Sequence, residues 1–292
     1  GDSHDKIIHT CDPAMLSDYF GKNKGSRHYL TPVDFDKTVL QKYYSSSNEY
    51  EVKDSSIYKH GYWNLRFDNN SSGHVCVFLG DLGRDLPHSE QIYWKSFNIS
   101  PEGRNMSKTY FERSMLGTWS DAESPDLAFK FIFNQFQEKW LKSKGWELFL
   151  SLNQADYHCF NTLHSLTKNE QSEFDSQILS LVKITIDSIN VEELKKLVSI
   201  ENSGSIKLLA EFLHKGGVTF DVATFLGGLQ GVRSTGVAHR RGTKYETTIA
   251  RLGIEDDKLI EAFDNLLEQM TKLLIEIDEV FLKQEIQDKE PI

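Results

Sequence analysis

Ser124-Pro125-Asp126-Leu127-Ala128-Phe129-Lys130-Phe131-Ile132-Phe133-Asn134-Gln135-Phe136-Gln137-Glu138-Lys139-Trp140 reads as the opening of a long helix. Ser can cap, Pro is favoured at the first helical position, and Asp suits the positive end of the helix dipole. Leu127, Phe131, Ile132, Phe136 and Trp140 are expected to form one apolar stripe, and Gly145 to stop the helix. The same periodicity predicts further helices over 156–167, 172–188, 191–199, 204–214 and 220–238. The last one, over 256–284, carries Leu259, Phe263, Leu266, Met270, Leu273, Ile277 and Val280 at alternating steps of four and three. Such a heptad seam packs along another helix. The plain reading is a seam inside one chain; the sharper one is a homodimer interface through the helical domain. Residues 122–292 are therefore expected to form an all-α helical bundle.

Residues 1–121 have a different texture, rich in Tyr, Asn, Ser, Gly and Pro, and read as an α+β domain. Trp63, Leu65 and Phe67 alternate with polar residues, as a half-buried strand requires. Asn69-Asn70-Ser71-Ser72-Gly73 reads as a turn and His74–Leu79 as a second strand, together a hairpin. Gly and Pro mark Gly80–Pro87 as a loop, in which Asp81, Arg84 and Asp85 are a candidate ligand site, with His88, Glu90 and Gln91 just beyond. Val33–Tyr44 is expected to be a helix. Trp63, Trp94 and Trp119 are read as core aromatics.

The chain has 292 residues, 39% hydrophobic and 26% charged, within the normal range of a globular protein. Its formal charge of −10 excludes a nucleic-acid coat over the whole surface, so any RNA site must be a local cationic patch. Cys11, Cys76 and Cys159 are far apart and form no CxxC pair, which suggests neither a structural zinc nor a disulfide framework. A reducing, cytoplasmic setting fits this usage. No apolar run approaches the roughly 20 residues that cross a bilayer. The chain opens on Gly1-Asp2-Ser3-His4 without a Met and is expected to continue a longer protein. Asp156, His158, Cys159 and His164 carry metal-ligand chemistry, but their aromatic and apolar neighbours favour a core role, and no metal or other cofactor is expected. P-loop, GxSxG and HExxH signatures are missing, which removes those enzyme classes.

The local patch is Gly231-Val232-Arg233-Ser234-Thr235-Gly236-Val237-Ala238-His239-Arg240-Arg241-Gly242 and its continuation to Arg251. Arg233, Arg240, Arg241, Lys244 and Arg251 stand there against Glu246 alone. Arg233 and His239, five residues apart in the intervening chain, late in a helical domain, resemble the HEPN superfamily. These are α-helical bundles, many of them metal-independent endoribonucleases with an Arg-x(4–6)-His motif. The resemblance covers about residues 125–285 and consists of helical layout plus this one motif. Ser234 stands where nuclease members commonly carry Asn or Asp. The N-terminal half looks like uncharacterised bacterial sequences.

That resemblance implies an RNase effector of a toxin or antiviral defence system, with RNA as substrate, a homodimeric composite site and a partner protein or antitoxin. Arg233, His239 and Ser234 would be its catalytic residues. His titrates near neutrality and can serve as base or acid. The planar fork of Arg holds a phosphate and stabilises charge growing on it. Arg240, Arg241 and Lys244 would position the RNA backbone. Two other readings stand beside this one: a non-catalytic dimerisation or binding module, and a ligand-sensing regulator built on the Gly80–Pro87 segment. An ideal helix rotates residues six apart by about 120°, so the pair shares a face only if the helix bends, ends, or meets a second copy.

Overall fold

The computed structural model describes residues 10–71, 73–199, 203–234 and 243–282, without the side chains of 243–245. The chain divides into two compact units, residues 1–124 and 125–292, the first α+β and the second helical.

In chain order the first unit runs β1 (Pro32–Asp36), a 3-10 turn (Lys37–Leu40), α1 (Gln41–Ser45), β2 (Tyr50–Lys53), β3 (Ser56–Lys59), β4 (Trp63–Arg66), β5 (His74–Phe78), α2 (Leu79–Asp85), α3 (His88–Lys95), α4 (Lys108–Phe111) and a π turn (Glu112–Leu116). β1 pairs antiparallel with β5, Phe35 opposite Val75, and β2-β3-β4 form a separate antiparallel meander. Phe35, Ile57, Leu65, Phe67, Val75 and Trp94 are among its core residues.

Three expectations for this unit are corrected. The helix foreseen over Val33–Tyr44 begins instead as strand β1, because Val33 and Phe35 fit a pleated edge that β5 pairs. Helical turns start only after Asp36, whose carboxylate accepts from Thr38 N–H and caps them. The 62–68 and 74–79 segments do not form a hairpin. β4 pairs with β3 and β5 with β1, while Asp68 and Cys76 alone bridge the two segments among the described residues. Finally, Gly80–Pro87 is no loop: α2 follows β5 directly. Its glycines serve close approach. A Cβ on Gly80 would fall 2.1 Å from the Tyr29 ring, and one on Gly83 would fall 1.8 Å from the Cys11 carbonyl oxygen.

The second unit comprises α5 (Pro125–Lys144), α6 (Tyr157–Thr162), α7 (Gln171–Ile184), α8 (Val191–Leu197), α9 (Ser205–Gly216), α10 (Val222–Val232), α11 (Thr243–Arg251) and α12 (Leu259–Phe281). α5 starts at the Pro and stops before Gly145, which takes a positive φ of 76° and donates to Leu141 O. Its buried stripe is Leu127, Phe129, Phe133, Phe136 and Trp140, whereas Phe131 is exposed; the stripe is rotated from the expected one. α12 lies along α5 and also meets α7 and α9. Six of the seven seam residues are buried, Val280 being the exception, and Leu267 and Leu274 widen the seam to a full core face. The seam is thus used inside the chain, which removes it as the homodimer interface. No helix among the described residues is long and apolar enough to cross a membrane.

Candidate functional site

α10 begins at Asp221, whose carboxylate accepts from Thr224 N–H at 3.1 Å. Phe225, Leu226, Leu229 and Val232 turn one face into the core. Gly227, Gln230, Gly231 and Ser234 recur at steps of three and four and form a second face, which looks onto α11. Gly228 and Gly231 bring the two helices close: a Cβ on Gly228 would meet Leu252 at 2.7 Å, and one on Gly231 would meet Thr248 at 2.9 Å. Beside this contact the helices leave a groove of about 600 Å3, walled on the α11 side by Thr247, Thr248 and Arg251.

Arg233 closes α10 in a π turn, its backbone N–H directed at Gln230 O and Leu229 O. On an ideal helix it stands roughly a third of a turn away from the groove face. Its Nη1 donates to Asp187 Oδ1 at 2.8 Å, with the two side chains 32% and 28% exposed. Asp187 is well fixed. Its N–H donates to Val182 O, and the neighbouring Ser188 carbonyl accepts from Leu150 N–H at 2.6 Å. Ser234 donates to Gly231 O at 3.1 Å and lies on the groove. His239, Arg240 and Arg241 lie outside the described residues, as does the side chain of Lys244 at the start of α11. Of the five cations of the patch, Arg233 and Arg251 have described side chains. Arg251 is exposed, and no ion pair engages it among the described residues. In the sequence Arg251 stands in the cationic patch with nothing to mark a role of its own. The missed signal was the glycine spacing of α10, which marks where a second helix must approach.

The other sequence candidates are occupied by neighbours in their own unit. Asp81, Arg84 and Asp85 do come together, but on helix α2 and engaged with one another. Arg84 forms a fork on Asp85 with two contacts of 2.6 Å, reaches Asp81 at 2.9 Å and also donates to Tyr29 Oη. Burial, then the hydrogen bond to Asp81, pushes the Tyr29 hydroxyl up to about 12. Glu90 is buried and accepts from Tyr43 Oη at 2.8 Å and Lys42 Nζ at 2.5 Å; Gln91 donates to Leu86 O. His88 opens helix α3.

His164 contacts Glu173 at 3.0 Å, Asp156 pairs with Lys183 at 3.1 Å, and His158 faces Ala155 O. Burial opposes ionisation of Glu173, but hydrogen bonds from His164 and Thr167 outweigh it and hold the carboxyl below its ordinary value. Among the described residues no group of three or more His, Cys, Asp or Glu could hold a metal. Trp94 is buried and Trp63 partly so, but Trp119 is 78% exposed, under the Arg113 guanidinium at 5.8 Å, which corrects its reading as a core residue. The chain matches no known family model, no curated protein and no solved structure.

Proposed function

We propose that the helical unit is a metal-independent endoribonuclease of the HEPN kind, acting at the C-terminal end of α10. The observation that carries this reading is the setting of Arg233. It ends a helix in the most cationic segment of an acidic chain, with one guanidinium N–H held by Asp187, beside a groove whose lining among the described residues includes hydroxyls and Arg251 but no carboxylate. A guanidinium has five N–H donors, so one bond to a fixed carboxylate orients the fork and leaves donors for a phosphate. In the reaction the 2′ oxygen of RNA bonds to phosphorus and the bond to the 5′ oxygen breaks. The proton lost by the 2′-OH is replaced on the leaving oxygen. His239 moves the proton at one of these atoms, and Arg233 stabilises charge on the non-bridging oxygens. The products are a 2′,3′-cyclic phosphate and a 5′-OH. Such an activity suits an effector in a toxin or antiviral defence system, with the α+β unit as sensor or regulator.

The Arg233–Asp187 pair also favours a second reading, a HEPN-like module that binds RNA or a protein partner without cutting. Cleavage of mixed RNA in EDTA separates the two, with wild type run beside Arg233→Ala and His239→Ala. Cleavage lost in both variants supports the nuclease; RNA bound but never cut supports the binding module.

A further inference from the structure

We infer that the groove between α10 and α11 is an anion subsite that takes a phosphodiester of single-stranded RNA, with Arg251 as its cation. This rests on the RNase reading for the identity of the ligand. The observations themselves concern a different face of α10 from the one that carries Arg233.

The volume of about 600 Å3 lies in the range of about 300–1,000 Å3 usual for small-molecule sites. Arg251 enters from the last turn of α11 and is exposed, with no carboxylate among the described groove residues to neutralise it. Ser234, Thr247 and Gln230 add neutral hydrogen-bonding groups, a combination that suits a phosphate and the sugar next to it. Gly231 admits the closeness of the two helices, since a Cβ there would press on Thr248. Gly227 has another role. Among the described residues nothing lies within 4 Å of where its Cβ would be, although it lines the same groove. Its missing side chain is therefore not needed for helix contact and leaves the groove open. Ser234 belongs to the groove and neighbours Arg233 in the chain, so RNA seated there continues towards the Arg233 end of α10.

The test is binding of a fluorescein-labelled single-stranded 2′-O-methyl RNA decamer, which has no free 2′-OH and so stays uncut, read by anisotropy over a series of salt concentrations. The full chain is compared with Arg251→Ala, Arg251→Lys and Gly227→Leu. Gly227→Leu projects into the groove from a Cβ position that has room around it, and Arg251→Ala changes an exposed side chain, so both should melt as wild type does. Arg251→Ala and Gly227→Leu are each expected to weaken binding about tenfold. Arg251→Ala should also lower the salt slope by about 0.7, the value of one phosphate contact on a single strand. Arg251→Lys should keep most of the affinity. Wild-type affinity in both Arg251→Ala and Gly227→Leu overturns the subsite while leaving the nuclease reading in place. A loss in one of the two alone also overturns it, since cation and groove would then be unconnected. Wild type that binds no RNA overturns the subsite and the nuclease reading together.

Discussion

Asp187 and Arg251 set the electrostatics of the α10 end at the scale of single residues. Asp187 offsets the charge of Arg233 across 2.8 Å, in a pair exposed by about a third on each side. Pairs of that exposure are worth at most about 1 kcal/mol, so Asp187→Asn should barely move the melting temperature. It should tighten RNA binding by up to about fivefold at low salt, because the carboxylate no longer competes with phosphate; an affinity unchanged or reduced in a titration would count against this. Glu173 carries a different prediction. Its carboxyl lies below the ordinary 4.5, so its stabilising contribution is complete above that value and is lost as pH falls through the lowered one. Glu173→Gln should cost about 1–3 kcal/mol in urea melts near neutrality and less in acid, where the wild-type carboxyl is already protonated. Glycines divide in the same residue-by-residue way. Gly216→Ala places a Cβ 2.0 Å from the Phe281 ring, and the expected loss is about 1–3 kcal/mol by thermal melting. Gly227, by contrast, should tolerate a side chain.

Elements were legible where periodicity was strong and local. α5 and α12 follow from a Ser-Pro-Asp start and a step-of-four-and-three pattern, and both lie within the stretches expected to be helical. The buried face of α5 was not legible, because Phe129, Phe131, Ile132 and Phe133 crowd two turns and only the neighbouring helices decide which of them turn inward. Strand partners were misread for a related reason. Register and pairing are non-local, and β5, buried along its whole length, takes β1 across nearly forty residues of chain instead of its neighbour β4. Gly80 and Gly83 looked like turn residues because a glycine needed for close approach has the same letter as one needed for a turn. At the candidate site the cationic segment was legible, whereas the Asp187 contact and the groove were not, as both depend on how helices assemble. Trp140 tests the assembly directly. It is fully buried and its ring lies 5.6 Å from that of Phe281, so Trp140→Ala should cost about 3–5 kcal/mol in equilibrium unfolding.

The whole molecule is an acidic chain of formal charge −10 whose strongest cationic excess, five Lys and Arg against one Glu over residues 231–251, lies on its helical unit. RNA binding should therefore depend chiefly on that segment and fall steeply with salt, since the rest of the chain is net acidic. In the proposed reaction RNA supplies its own nucleophile there. This is tested most directly by incubating the protein in EDTA with an RNA oligonucleotide and with the same oligonucleotide carrying a single 2′-deoxy nucleotide at the cleaved position. Cleavage of the first to a 2′,3′-cyclic phosphate and a 5′-OH is expected, with the second left intact. Cleavage of the deoxy strand at that position, 5′-phosphate products, or no cleavage of either strand would contradict it.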